Sequence, residues 1–226
     1  MIYYSPSGKV LDTNNYEHFA EGGTATILKK DNILFKQYSH DRFYNTEIKK
    51  NNFEYFKKSN VPNLVKLLDI YYSSKDYINK FLIADGYTME EVPVDDTKLI
   101  TADREYIIML LKQLEDTLKT LSDKKIVIED LHEKNIIFNS NGVSIIDIDE
   151  FMRNPILVKR YVYYINKCSI LYTMSNIIYN EYAKKNDLRR IIPIRTQKDT
   201  SITEDFFEFF KDETLEDTIK KYNLKK

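Results

Sequence analysis

Short apolar runs separated by tight polar turns fill the first part of the chain, and longer stretches of helical periodicity fill the rest. Tyr16–Ala20, the turn Glu21-Gly22-Gly23, Thr24–Leu28, the polar turn Lys29–Asn32 and Ile33–Tyr38 alternate in the manner of an antiparallel meander. Residues 41–58 are polar, with Ile48, Phe53 and Phe56 near helical spacing, and Asn63–Tyr72 and Phe81–Met89 read as two further strands. The character changes at Thr101, where Thr101 or Asp103 can cap a long amphipathic helix. In it Ile107, Leu110, Leu111, Leu114, Leu118 and Leu121 recur on one face, and it ends near Ser122–Lys125. Three short strands are predicted next, at Ile126–Ile128, Ile136–Phe138 and Val143–Ile146, the last two joined by the hairpin signal Asn139-Ser140-Asn141-Gly142. Helices around 156–185 and 203–223 complete the chain. The expected class is α+β, with a small antiparallel-sheet lobe carrying one helix over residues 1–91 and a larger helical lobe over residues 92–226.

Composition sharpens this outline. The 226 residues are 42% hydrophobic and 31% charged, a globular balance long enough for one large domain or two intimate lobes. With 34 basic against 35 acidic residues the formal net charge is −1, so no global field draws in nucleic acid or an anionic membrane, and neither is expected as a partner. The single cysteine, Cys168, excludes an intrachain disulfide and reads as a packing residue in a reducing compartment. The N-terminus lacks the pattern of a secretory signal, and no apolar stretch reaches the ~18–20 residues that span a bilayer. A cytoplasmic location is the expectation. Residues 161–182 come nearest to a membrane segment, but Asn166, Lys167, Asn176, Asn180 and Glu181 interrupt them, and they read as a buried helix.

The chemistry concentrates between Ile126 and Phe151. Asp130 falls on a loop between two apolar strands, Asn135 follows five residues later, and Asp147 ends the strand after the hairpin. Phosphoryl transfer from ATP needs a carboxylate to orient and deprotonate the incoming hydroxyl, and oxygen ligands for a Mg²⁺ ion that bridges phosphates. Asp130 fits the first role, and Asn135 and Asp147 fit the second.

These residues carry a resemblance. Asp130-Leu131-His132-Glu133-Lys134-Asn135 is similar to the D-L-x-x-x-N core of the catalytic loop in the protein-kinase-like superfamily, and Ile146-Asp147-Ile148-Asp149 stands where that family has D-F-G. Upstream, Glu21-Gly22-Gly23-Thr24-Ala25-Thr26-Ile27 resembles a shortened glycine-rich phosphate loop. Lys36 in Ile33-Leu34-Phe35-Lys36 resembles the lysine that reaches the α- and β-phosphates. Asn63–Leu68 looks like the strand entered after the small lobe's helix, and Gly86–Glu91 like the strand that runs into the hinge. The resemblance implies a bilobal kinase-like fold with ATP and Mg²⁺ as cofactors. Gly22, Gly23, Thr24 and Lys36 would contact phosphates, and the backbone of Glu90–Val92, with Glu90 and Val92 at its ends, the adenine. Asn135 and Asp147 would hold metal, Asp130 would serve as base, and Glu54 or Glu47 (Asn52 by another count) would occupy the helix position that pairs with Lys36.

The pattern also departs from the family. Ile128-Glu129 replaces H-R, which removes the arginine that reads activation-loop phosphorylation, and no A-P-E segment follows Asp147. His132 stands where aminoglycoside and choline kinase-like enzymes often carry histidine, and Asp149 replaces the glycine of D-F-G as a solvated turn carboxylate or a second metal ligand. A Ser/Thr-type protein kinase or autokinase is the first expectation. A small-molecule kinase acting on a sugar or aminoglycoside-like hydroxyl is the second, with Glu204, Asp205, Glu208, Asp212 and Glu213 as a pocket for a cationic acceptor. A nucleotide-binding pseudokinase scaffold is the third.

Overall fold

A computed structural model describes residues 1–39, 50–80, 84–129, 131–149 and 151–185. The chain is mixed α+β and divides into two compact units. The first comprises Met1–Asn60, Leu64–Val92 and Asp147–Glu150. The second comprises Val61–Asn63, Pro93–Ile146 and the described part of Phe151–Lys226.

The first unit opens with a hairpin, β1 (Ile2–Tyr4) and β2 (Val10–Asp12), turning through Ser5-Pro6-Ser7-Gly8. Its main feature is an antiparallel sheet of β3 (Glu17–Glu21), β4 (Ala25–Lys30), β5 (Ile33–Tyr38), β6 (Leu67–Tyr71) and β7 (Gly86–Glu90), in the order β3-β4-β5-β7-β6. Two helices belong to this unit, α1 (Lys50–Ser59) and the single turn α2 (Tyr77–Lys80). Side chains alternate across a strand, so β5 sends Phe35 to one face of the sheet and Leu34, Lys36 and Tyr38 to the other. On the first face Phe35 packs with Tyr3, Leu11 and Tyr71, which gives the opening hairpin an apolar seat. On the second face Tyr87 lies directly across from Lys36 and packs against Tyr38 and Phe53 of α1. Gly86 is required by close approach, since a Cβ there would lie 2.4 Å from the Lys36 carbonyl and 2.8 Å from the Phe35 ring.

The second unit is organised by α3 (Arg104–Lys124) and α4 (Lys159–Lys185). Asp103 caps α3, its carboxylate accepting from the Tyr106 amide at 2.8 Å, and Lys125 closes it in the left-handed region at φ 55°. Leu110, Leu111, Leu114, Leu118 and Leu121 are all buried, and burying one such side chain contributes about 1.5–3 kcal/mol. Four short strands accompany the helices. These are β8 (Ile126–Val127), the hairpin β9 (Ile136–Asn139) with β10 (Gly142–Ile145), and β11 (Met152–Arg153), which pairs with β8. Gln113 of α3 fastens the hairpin turn by accepting from the Val143 amide and donating to the Asn141 carbonyl.

Several expectations are corrected. Asn63–Tyr72 is a strand only from Leu67, because Asn63 sits at φ 58° and donates its side-chain amide to Gln113 and Thr117. Phe81–Met89 is a strand only from Gly86, with α2 ending at Lys80 just ahead of residues 81–83, which lie outside the described residues. The opening hairpin and β11 were not anticipated. The helix of residues 161–182 is buried on one face only: Tyr161, Ile165 and Tyr172 are exposed, and so is Cys168, which is therefore not a packing residue. The expected helix at 203–223 lies outside the described residues, as do Glu47 and Asp130. Among the described residues no helix is long and apolar enough to cross a membrane.

Candidate active site

Lys36 is the residue around which the first unit's chemistry gathers. Strand alternation turns it away from the Phe35 core, and Tyr87 opposite and Tyr38 two residues on wall it in, so its side chain is only 6% exposed. An ammonium removed from water costs several kcal/mol unless it is compensated. Here two carboxylates compensate it, Asp147 Oδ1 at 2.5 Å and Asp149 Oδ2 at 2.6 Å. Burial alone would lower the lysine's pKa, but Asp149 and then Asp147 outweigh it and the net shift is upward, so the ammonium stays charged at neutral pH.

The two carboxylates are not equivalent. Asp149 is 4% exposed, and its Oδ1 finds no hydrogen-bond partner among the described residues. Burial raises its pKa, with the like charge of Asp147 adding and Lys36 opposing. Asp147 is 37% exposed and holds φ at +59°, a left-handed conformation that costs an L-residue roughly 1–2 kcal/mol. The buried Tyr87 hydroxyl also lacks a partner among the described residues, and its pKa is raised well above the ordinary value by burial and then by Asp149.

Glu54 does not serve as the lysine's partner. It is 40% exposed on α1 and lies 3.7 Å from Lys58 one turn on. Asp149 pairs with Lys36 and is not a solvated turn carboxylate, while Glu47 lies outside the described residues. The sequence alone could have raised this possibility, because a carboxylate two residues from a metal-ligand candidate, flanked by the apolar Ile148 and Phe151, has apolar neighbours to bury it. Tyr38 and Tyr87 were missed as part of this cluster, although a tyrosine paired across from a buried lysine is a recognisable signal once the register is known.

The phosphate-loop residues Gly22, Gly23 and Thr24 form the turn between β3 and β4. The Gly22 amide donates to the Ala25 carbonyl at 2.8 Å, and a Cβ at Gly23 would meet nothing within 4 Å. At the other end of the sheet the Glu90 and Glu91 amides donate to the carbonyls of Lys66 and Asn32, so two of the three amides in Glu90–Val92 are committed within the fold.

In the second unit, the loop that carries the expected base is pinned at both ends. Asn166 of α4, fully buried, accepts from the Ile128 amide at 2.8 Å and donates to the Ile126 carbonyl at 2.7 Å, while Thr173 donates to the Leu131 carbonyl at 2.9 Å. His132 accepts through Nδ1 from the Lys134 amide, a structural role within the turn. Asn135 is buried; its amide donates to the His132 carbonyl and its own carbonyl accepts from Ile146. The acidic residues from Glu204 to Glu213 lie outside the described residues.

Among the described residues, one ammonium against two carboxylates leaves an excess negative charge beside the partly exposed Asp147, an arrangement that favours a cation. Among the described residues no three His, Cys, Asp or Glu side chains gather into a metal cage. Mg²⁺ asks for no such cage, because it is bound through one or two protein oxygens plus waters and phosphates. The sequence matches no protein-family model, and no curated protein matches it.

Proposed function

We propose that the chain is an ATP-dependent phosphotransferase of the bilobal protein-kinase-like kind. The observation that carries this reading is the buried Lys36 held between Asp147 and Asp149, with one carboxylate half-open to solvent and a negative charge left over. Lys36 binds phosphate oxygens through a charge fixed by its surroundings, and the backbone of Gly22–Thr24 is the candidate cradle for the same group. Asp147 and Asn135 would be the ligands of Mg²⁺, which when bound would neutralise phosphate charge. Asp130 orients the acceptor hydroxyl and takes its proton as the hydroxyl oxygen bonds to the γ-phosphorus and the bridge to ADP breaks. A Ser/Thr-type protein acceptor or the chain itself is the first choice. A small hydroxylated molecule is the alternative that Asp130-Leu131-His132 and the missing A-P-E segment favour.

One observation favours a scaffold instead: Asp147 is engaged by Lys36, which occupies an oxygen the metal would need. Incubating the full chain with γ-labelled ATP and Mg²⁺, alone and with generic protein and aminoglycoside acceptors, separates the readings. Label on protein supports the kinase or autokinase, label on the aminoglycoside supports the small-molecule enzyme, and bound nucleotide without transfer supports the scaffold. Absence of both binding and transfer rules out all three.

A further inference from the structure

We infer that Asp149 is a positioning residue, the fixed anchor of Lys36, and that Asp147 is an exchangeable second partner that leaves the lysine when nucleotide and metal arrive. The inference rests on the phosphotransferase reading for its functional meaning, while its structural part stands on the nucleotide-free chain.

The difference in desolvation between the two carboxylates decides their roles. Asp149 is 4% exposed, and one of its oxygens already has no hydrogen-bond partner among the described residues. If its other oxygen let go of Lys36, the Asp149 carboxylate would be left charged in a buried site with no cation beside it among the described residues, whereas Lys36 would still keep Asp147. Asp147 is 37% exposed, so when its oxygen leaves Lys36 it passes to solvent or to a cation. Both contacts are short, 2.5 and 2.6 Å, so distance does not rank them; burial does. Cross-strand pairing with Tyr87 fixes the stem of Lys36, and Ile148, fully buried, fixes the backbone between the two carboxylates. The ammonium is therefore held in place even when Asp147 turns away. No carboxylate from α1 is needed for that purpose, and the described one, Glu54, does not supply it.

The test uses full-length chain labelled with ¹⁵N at the lysine Nζ. In the nucleotide-free protein, a buried and paired ammonium gives a slowly exchanging signal, assigned by its loss in Lys36→Met. The signal should persist in Asp147→Asn and vanish in Asp149→Asn. Persistence in Asp149→Asn, or loss only in Asp147→Asn, overturns the inference. A through-hydrogen-bond correlation from Lys36 Nζ to the Asp149 carboxyl carbon in the unmutated chain checks the same contact without any risk of misfolding, and its absence overturns the inference as well. In turnover, Asp149→Asn should raise KM for ATP about tenfold while kcat changes less, as expected for lost ground-state positioning. Unchanged KM in a folded Asp149→Asn chain contradicts it. If the wild-type chain binds no ATP, the phosphotransferase reading fails, and the exchange of the lysine signal in the two variants still upholds or overturns the anchor.

Discussion

Two buried polar clusters, one in each unit, solve the same problem in opposite ways. Asn166 in the second unit is neutral, fully enclosed and bonded through both side-chain atoms to the backbone on either side of Val127. Lys36 in the first unit is charged and held by two carboxylates, with an oxygen of one left without a described partner and the other half-open to solvent. A neutral amide whose oxygen and nitrogen are both engaged with backbone carries no charge to attract a ligand, and it serves to shape the chain. An ionic group with surplus charge and an accessible partner retains capacity for a ligand, and that residual capacity separates a functional cluster from a structural one.

The largest expected effect breaks the comparison on its functional side. Asp147→Asn should reduce phosphoryl transfer by roughly a thousandfold or more while changing unfolding free energy by no more than about 1 kcal/mol, because the side chain is partly solvated. Labelled-phosphate transfer together with urea melts checks both halves. Asn166→Ala should behave in reverse, leaving the Ile126 carbonyl and Ile128 amide buried without partners at a cost of about 2–4 kcal/mol. Any lost activity should then track the unfolded fraction measured in the same urea series. Gly86→Ala should cost about 1–3 kcal/mol, since the added methyl meets the Lys36 carbonyl and the Phe35 ring, and thermal melting reads it.

The smallest effect concerns pH. Burial, more than the nearby charges of Asp85 and Asp69, pushes the hydroxyls of Tyr3, Tyr71 and Tyr72 up to about 12. The native state thus keeps protons that the unfolded state releases near 10, so stability is complete below that value and declines as pH rises from about 10 toward 12. Tyrosinate absorbance against pH should show a late-titrating fraction that disappears in urea.

What was legible in the sequence followed local rules. Ile33–Tyr38 forms β5 over those same residues because a polar turn bounds it on the amino side and its short apolar and aromatic run suits a strand. Asp103 could be named as a cap and the leucines of α3 as a core because both signals repeat within a turn or two. Cys168 was misread because its apolar neighbours in sequence suggested burial, whereas helical periodicity groups it with the exposed Tyr161, Ile165 and Tyr172. The pairing of Lys36 with Asp149 was not read from the sequence, and Glu47, one of the expected partners, lies outside the described residues. The choice between Glu54 on α1 and Asp149, 113 positions further along than Lys36 (149 − 36), is made by tertiary packing; the apolar neighbours of Asp149 hint at its burial but not at which cation it meets. The opening hairpin was overlooked although Ser5-Pro6-Ser7-Gly8 carries turn chemistry, because each of its strands is only three residues long.

Calorimetric titration of the full chain with ATP, with Mg²⁺ present and then with the metal removed by chelation, tests the central claim most directly. The expected result is saturable binding with Mg²⁺ that weakens at least about tenfold without it, since the excess carboxylate charge repels bare triphosphate. Equal affinity in both conditions, or no binding in either, would contradict the assignment of Lys36 and Asp147 to a metal–nucleotide site.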